Sequence, residues 1–364
     1  MNITVFGAGA WGTAVAQQAA RKHEVLLWGR DSELMRDIQT TRINQRYLPG
    51  IALEQKLVVS ADLAAATKFS EGQLWVIGTA MAGLEDTVRA ALQASSAKPK
   101  AIVWLCKGIR AQQSAHRTGL PNVIDEHLPL LPAPIVRKAI ETTLGHPHGI
   151  DLGSLSGPSF AAEVGLGQPA ALVAASDSPE CSQLMIAAFH HHQMRVYASS
   201  DLVGVSIGGA LKNIVAIAAG ISDGLGLGNN ARAALITRGL AEIARLGEAM
   251  GARNETFMGL AGLGDLVLTC TGNASRNRQV GLGLAEGKPL AAIVATLGHV
   301  AEGVSTTQAA VSLARSKGVE LPIAEAVKRV LDGDISAKEA VRGLLARDAK
   351  REDDSGPDLY EGIA

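Results

Sequence analysis

The chain has 364 residues, 47% hydrophobic and 19% charged, which excludes a disordered protein and suffices for two domains with their own cores. A net charge of −1, no basic block and 3% aromatic residues exclude a nucleic-acid binder, which needs a basic footprint and stacking rings. Three widely separated cysteines, Cys106, Cys181 and Cys270, form no Cys-x-x-Cys pair and suit reduced thiols in a cytoplasmic protein.

Asn2–Phe6 predicts a short buried strand that runs into Gly7-Ala8-Gly9-Ala10-Trp11-Gly12 and an alanine-rich helix to about Arg21. This is G-x-G-x-x-G in the context of strand, turn and helix that a dinucleotide site requires. Gly7 permits the turn, Gly9 lets a pyrophosphate approach the backbone, and Gly12 lets helix and strand pack closely. The helix start offers free N–H groups to the anion. No basic n-region or cleavage site precedes the strand, so no secretory signal is expected.

Glu24–Trp28 is the second strand, ending at Gly29-Arg30-Asp31. Arg30 suits the 2′-phosphate of NADP, and Asp31 keeps NAD open; both residues also suit the start of a helix. Further strands are expected at Lys56–Val59, Leu74–Ile77 and Ala101–Cys106, with helices between, which reads as a parallel β-α-β pattern. Lys107 then stands at a strand's carboxyl end, where such sheets bind ligands; a surface lysine at a strand end is the other reading. Residues 119–153 are broken by prolines, with a short helix at Pro134–Leu144 and an exposed loop at His146–Gly149. Asp151–Leu155 leads into Ser156-Gly157-Pro158-Ser159-Phe160-Ala161, either a turn that offers donors to an anion or an ordinary helix cap. Ala170–Ala175 and Gln193–Tyr197 are two more strands, joined by a helix from Pro179 to His190. His190-His191-His192 reads as a solvated helix end and not as a metal site, because three consecutive residues share no helix face.

From Asp201 the period is helical throughout. Asp201–Ile221 reads as a buried helix with one charged side chain inside it, Lys212, and with Gly208 and Gly209 on the same face as clearance for substrate and cofactor. A desolvated lysine loses basicity and becomes a usable base near neutral pH; a buried structural ion-pair partner is the other reading of Lys212. Ser222–Gly228 reads as a glycine-rich loop, Asn230–Met250 as a second long helix, and Pro322 and Ser336 mark later helix starts. Apolar stretches look broken by Gly, Lys, Ser or Asp before about 18 residues accumulate, so no membrane span is expected. Asp265 lies between glycine-rich residues and could orient Lys212, or serve as a turn acid. Ser275-Arg276-Asn277 opens a helix, which suits a phosphate; a surface salt bridge is the other reading of Arg276. The expected architecture is α/β: a Rossmann-type, mostly parallel sheet over residues 1–199, an all-helical domain over 200–347, and a flexible polar tail over 348–364.

These motifs, in this order, resemble the bacterial NAD(P)-dependent sn-glycerol-3-phosphate dehydrogenases. The residues that carry the likeness are Gly7–Gly12, Cys106–Gly108, Ser156–Ala161, Gly208–Asn213, Ser222–Gly224, Gly262–Leu266 and Ser275–Asn277. The resemblance implies Lys212 as the proton acceptor. It places Lys107, Gly157, Ser159, Asp265, Ser275, Arg276 and Asn277 at the substrate. Ala10, Trp11, Arg30, Lys107, Ala161, Arg276, Val300 and Glu302 match positions around the cofactor, with NADP(H) favoured, NAD(H) also open, and no metal required. It further implies dihydroxyacetone phosphate and sn-glycerol 3-phosphate as substrates, a role in glycerophospholipid biosynthesis in the cytoplasm, and a homodimer built through the helical half. Ala10 and Ser159 stand where relatives often carry Ser and Thr, and residues 119–153 form a longer connection than usual. The nearest rival is a two-domain β-hydroxyacid reductase, which would lack the phosphate site near the lysine.

Overall fold

The computed structural model describes residues 1–111, 129–297 and 301–346. Val300 and the tail from 348 onward therefore lie outside the described residues, as does part of the 119–153 connection.

The first half alternates strand and helix: β1 (Asn2–Phe6), α1 (Ala10–Ala20), β2 (Glu24–Trp28), α2 (Ser32–Thr41), β3 (Val58–Ser60), α3 (Leu63–Phe69), β4 (Leu74–Ile77), α4 (Leu84–Ala94), β5 (Ala101–Trp104), α5 (Pro132–Leu144), β6 (Asp151–Ser156), α6 (Ala161–Gly165), β7 (Ala170–Ser176), α7 (Pro179–Phe189) and β8 (Met194–Ser199). Short runs of buried apolar residues form these strands because helices cover both faces of the sheet. Phe6, Trp75 and Trp104 are fully buried. The strand order is β3-β2-β1-β4-β5-β6-β7-β8. The direction of winding reverses between β1 and β4, which opens a crevice at their carboxyl ends. β6 and β7 pair antiparallel, the chain returning to the sheet through α6; the other strand pairings are parallel.

The second half is helical: α8 (Leu202–Gly224), α9 (Gly228–Ala249), α10 (Asn254–Met258), α11 (Asp265–Thr271), α12 (Arg276–Ala285), α13 (Leu290–Leu297), α14 (Glu302–Ser316), α15 (Pro322–Leu331) and α16 (Ala337–Leu345). α8 is its axis. Asp201 caps it by accepting from the Gly204 amide at 2.8 Å, and all but Val203, Asp223 and Gly224 of its 23 residues are buried. Small residues let other helices close on it. A Cβ at Gly220 would lie 2.0 Å from the Arg278 carbonyl oxygen, and one at Gly281 2.0 Å from that of Ile217, so α8 and α12 touch backbone to backbone.

Ser222–Gly228 is not one loop: α8 continues through Gly224, because Gly224 packs against Ala285 and Leu282 of α12. Only Leu225–Leu227 connects α8 to α9. The apolar run of α8 is also not interrupted. Its mean hydropathy of 1.8 and 23-residue length meet the requirement for crossing a membrane, but 94% of its most apolar window is buried by the protein's own helices.

Candidate active site

The end of β1 is shaped by close backbone contact. Gly7 has φ +124°, and a Cβ on Gly12 would lie 2.1 Å from the Gly7 carbonyl oxygen. Strand, turn and helix can pack this way only without side chains. Asp31 and Asp62 cap α2 and α3 with their carboxylates, whereas Gly9 caps α1 with no side chain, and no acid lies in the first turn of α1. The first amides of α1, at Ala10 and Trp11, are thus left for an anion. The Trp11 indole Nε1 is buried without a partner among the described residues. This cradle fits a dinucleotide pyrophosphate. Arg30 is exposed just past β2. Asp31 is committed to the α2 amides of Glu33 and Leu34, at 3.2 and 3.1 Å, and lies 3.4 Å from Arg46.

Lys107 follows β5 and crosses to the helical half. Its ammonium donates to Asp265 Oδ2 at 2.6 Å and to the Gly157 carbonyl at 3.1 Å. Asp265 opens α11 directly after a π-helical turn, Leu260–Gly264, and is 1% exposed. Its other oxygen, Oδ1, accepts from the Lys212 ammonium, which also donates to Thr269 Oγ1 at 3.0 Å. Two ammonium groups thus share one buried carboxylate. Burial alone would raise the Asp265 pKa, but Lys107 and then Lys212 outweigh it and hold it below the ordinary carboxylate value. Burial lowers Lys212 to about 8; Asp265 opposes that shift and Lys107 adds to it. A lysine with this pKa exchanges a proton near physiological pH.

α12 closes the far side. Ser275 caps it, accepting from the Arg278 amide at 3.2 Å. The Asn277 side chain donates to Asn213 Oδ1 at 2.9 Å and accepts from the Gly303 amide at 3.0 Å, which ties α8, α12 and α14 together. Arg276 is exposed between these two buried neighbours. Glu302 opens α14, and the Met81 amide after β4 favours its charged form. Burial raises the Glu302 pKa, against the pull of Arg276, Lys107 and Lys212 in that order. All three cations therefore act on one carboxylate, and Glu302, like Lys107, bridges the two halves.

Other residues stand differently from expectation. The Ser159 hydroxyl turns back to the Gly157 carbonyl at 3.0 Å, and α6, which Ala161 opens, has only five residues, so this turn is not an array of free donors. Gly208 packs against the Ala261 carbonyl, at 2.7 Å from its would-be Cβ, and gives no clearance beside Lys212. Gly209 does face the site: its would-be Cβ lies 3.4 Å from the Lys107 side chain. Thr269 and Asn213 were not singled out from the sequence. Thr269 stands four residues after Asp265 on one helix, a spacing that puts both on the face toward Lys212. His190 and His191 accept backbone amides through Nδ1, from Val196 and Gln193. Among the described residues the one trio of metal-type donors is Glu141, His146 and His148, within 4.8 Å of one another. It precedes the amino end of β6, whereas Lys107 follows the carboxyl end of the parallel strand β5, so the two lie at opposite ends of the strands.

Residues 2–182 match the family model for the N-terminus of NAD-dependent glycerol-3-phosphate dehydrogenase, and residues 201–342 match the model for its C-terminus. The glycerol-3-phosphate dehydrogenase [NAD(P)+] of Cupriavidus necator is 51% identical over 356 residues, covering 97% of this chain and 100% of the relative. That of Herminiimonas arsenicoxydans is 51% identical over 354 residues, covering 97% and 99%. The crystal structure of glycerol-3-phosphate dehydrogenase from Coxiella burnetii superposes with a TM-score of 0.83 at 37% identity, over 95% of this chain and 99% of that one.

Proposed function

The chain belongs to the NAD-dependent glycerol-3-phosphate dehydrogenase family, and from that premise we propose roles for its site residues, with Lys212 as general acid and base. The activity is an NAD(P)-dependent oxidoreduction of a CH–OH group, reducing dihydroxyacetone phosphate to sn-glycerol 3-phosphate for glycerophospholipid synthesis. The nicotinamide, when bound, supplies the hydride.

The observation that carries the role of Lys212 is its burial beside Asp265 and Thr269 with a pKa of about 8. In reduction its ammonium stabilises the forming alkoxide and gives it a proton. In oxidation the neutral amine takes that proton back. Asp265 holds the ammonium in place, and Lys107 brings a second positive charge from the cofactor side. Arg276 and the first amides of α12, with Ser275 and Asn277, hold the phosphate. Gly157 and Ser159 wall the substrate next to Lys107. Gly7, Gly9, Ala10, Trp11 and Gly12 take the pyrophosphate, and Ala161, Val300 and Glu302 complete the cofactor's surroundings. Lys212→Ala should lower kcat by ~10²–10⁴ while cofactor affinity stays near normal. NADPH consumption with dihydroxyacetone phosphate measures it, and near-normal turnover would sink the assignment.

NADP(H) is the favoured cofactor in this reading, with NAD(H) also accepted, because Asp31 is engaged in its cap while Arg30 stands exposed. Arg30→Ala should narrow the preference for NADPH over NADH; an unchanged ratio counts against it. The same reading divides the chain into a cofactor domain, 1–199, a substrate domain, 200–347, and a flexible tail. It places the enzyme in the cytoplasm as a homodimer joined through the helical half, a state that light scattering would test.

A further inference from the structure

We propose that Asp223 is a positioning residue for the substrate phosphate: through Arg278 it fixes the first turn of α12, and with it Arg276, relative to Lys212. The proposal rests on the reading of Arg276 as the phosphate ligand.

Asp223 and Lys212 lie on the same helix, eleven residues and about 16 Å of rise apart. Asp223 Oδ2 accepts from Arg278 Nε at 2.8 Å and lies 2.7 Å from Arg278 Nη2, so two arms of the guanidinium close on one oxygen. Arg232 of α9 approaches both oxygens of the same carboxylate, at 3.1 and 3.0 Å. The Asp223 and Arg278 side chains are only 11% and 12% exposed, which distinguishes this pair from an ordinary surface ion pair. Forked, charge-assisted bonds of this kind fix direction as well as distance.

Arg278 also grips the turn that precedes its own helix. Its Nη1 donates to Asn273 Oδ1 at 3.2 Å, and its backbone amide to Ser275 Oγ at 3.2 Å. One residue earlier, Asn277 is tied to Asn213 of α8. Behind these bonds, Gly220 and Gly281 allow the two backbones to touch. Positions 275, 277 and 278 are therefore each anchored. Among the described residues Arg276 alone of these four makes no side-chain hydrogen bond, and it stands exposed between its buried neighbours. The turn is held on every side of the one cation that remains for a ligand. Asp223 itself is negative and already engaged by two arginines, so it acts on a phosphate only through Arg278.

The test uses the full-length enzyme and three variants: Asp223→Asn, Arg278→Lys and, as reference, Arg276→Ala. The readings are kcat, the KM values for dihydroxyacetone phosphate and NADPH, and the inhibition constant of inorganic phosphate. Asp223→Asn and Arg278→Lys should each raise the KM for dihydroxyacetone phosphate and the phosphate inhibition constant about tenfold, the worth of a charged hydrogen bond. kcat and the KM for NADPH should stay within about twofold, a split that general loss of structure would not produce. If Asp223→Asn fails to fold, Arg278→Lys decides alone, since it keeps the charge and removes only the fork. A rise in KM for Arg276→Ala with none for the other two overturns the proposal and leaves the phosphate reading standing. Equal losses in kcat and NADPH affinity overturn it as well. An unchanged KM in Arg276→Ala overturns both.

Discussion

Lys212 carries the sharpest consequence at the scale of single residues. Burial brings its pKa down to about 8, so the two directions of the reaction should respond to pH with opposite sign. With Lys212 in its proposed role reduction needs the ammonium, so its kcat/KM should hold below about pH 8 and fall above it. Oxidation needs the neutral amine, so its kcat/KM should climb as pH rises through the same region. Rate profiles in both directions between about pH 6.5 and 9.5 test this. Two flat profiles, or two that bend the same way, would exclude Lys212 as the titrating group. Lys212 was legible from sequence because it is a lone charge in an apolar helix. Its surroundings were legible only in part. Asp265 could be suggested as its orienter, but the bond from Lys107 to Asp265 spans 158 positions along the chain, and no local pattern encodes it. Thr269 left a weak trace, the i, i+4 spacing from Asp265, which has meaning only once the π-helical turn has set where α11 begins.

Glycine has opposite effects in two helices, and substitution should reveal this. At Gly281 of α12 a Cβ would stand 2.0 Å from the Ile217 carbonyl oxygen and 2.7 Å from the Ile221 amide of α8. Gly281→Ala should therefore push the helices apart and cost about 1–3 kcal/mol. At Gly343 of α16 a Cβ would meet nothing within 4 Å, so Gly343→Ala should stabilise by about 0.5–1 kcal/mol through chain entropy alone. Thermal melting should move down for the first variant and up for the second; an unchanged or higher midpoint for Gly281→Ala would show that the α8–α12 contact is not as tight as described. Glycine also separates what the sequence shows locally from what packing decides. β1, β2 and β4 were legible to the residue, since each is a short apolar run between turn residues. Ser222–Gly228 looked like a loop because three glycines in a row of alternating positions usually break a helix. Gly224 belongs to α8 because contact with α12 demands it there, and that demand comes from tertiary packing.

Across the whole molecule the two halves meet on charge. Lys107 arrives from the sheet, Lys212 from the core helix of the other half, and Asp265 holds both. Removing that one carboxylate should affect stability far more than a surface pair would. Asp265→Asn leaves two largely buried ammonium groups without their anion, and the loss should be about 3–5 kcal/mol at neutral pH. The sign of its pH dependence follows from linkage. Lys212 has a folded pKa of about 8 against an ordinary 10.5, so between those values the unfolded chain binds more protons and the folded state gains stability as pH rises. In Asp265→Asn the main influence that raises the Lys212 pKa is gone, so the same gain begins below pH 8, where the native protein has none. The stability gap between variant and native enzyme should therefore narrow as pH climbs from about 6.5 toward 8. Denaturant melts across that range measure it. A gap that stays constant would mean that Lys212 keeps its proton without Asp265, and that the carboxylate does not hold the two halves through charge.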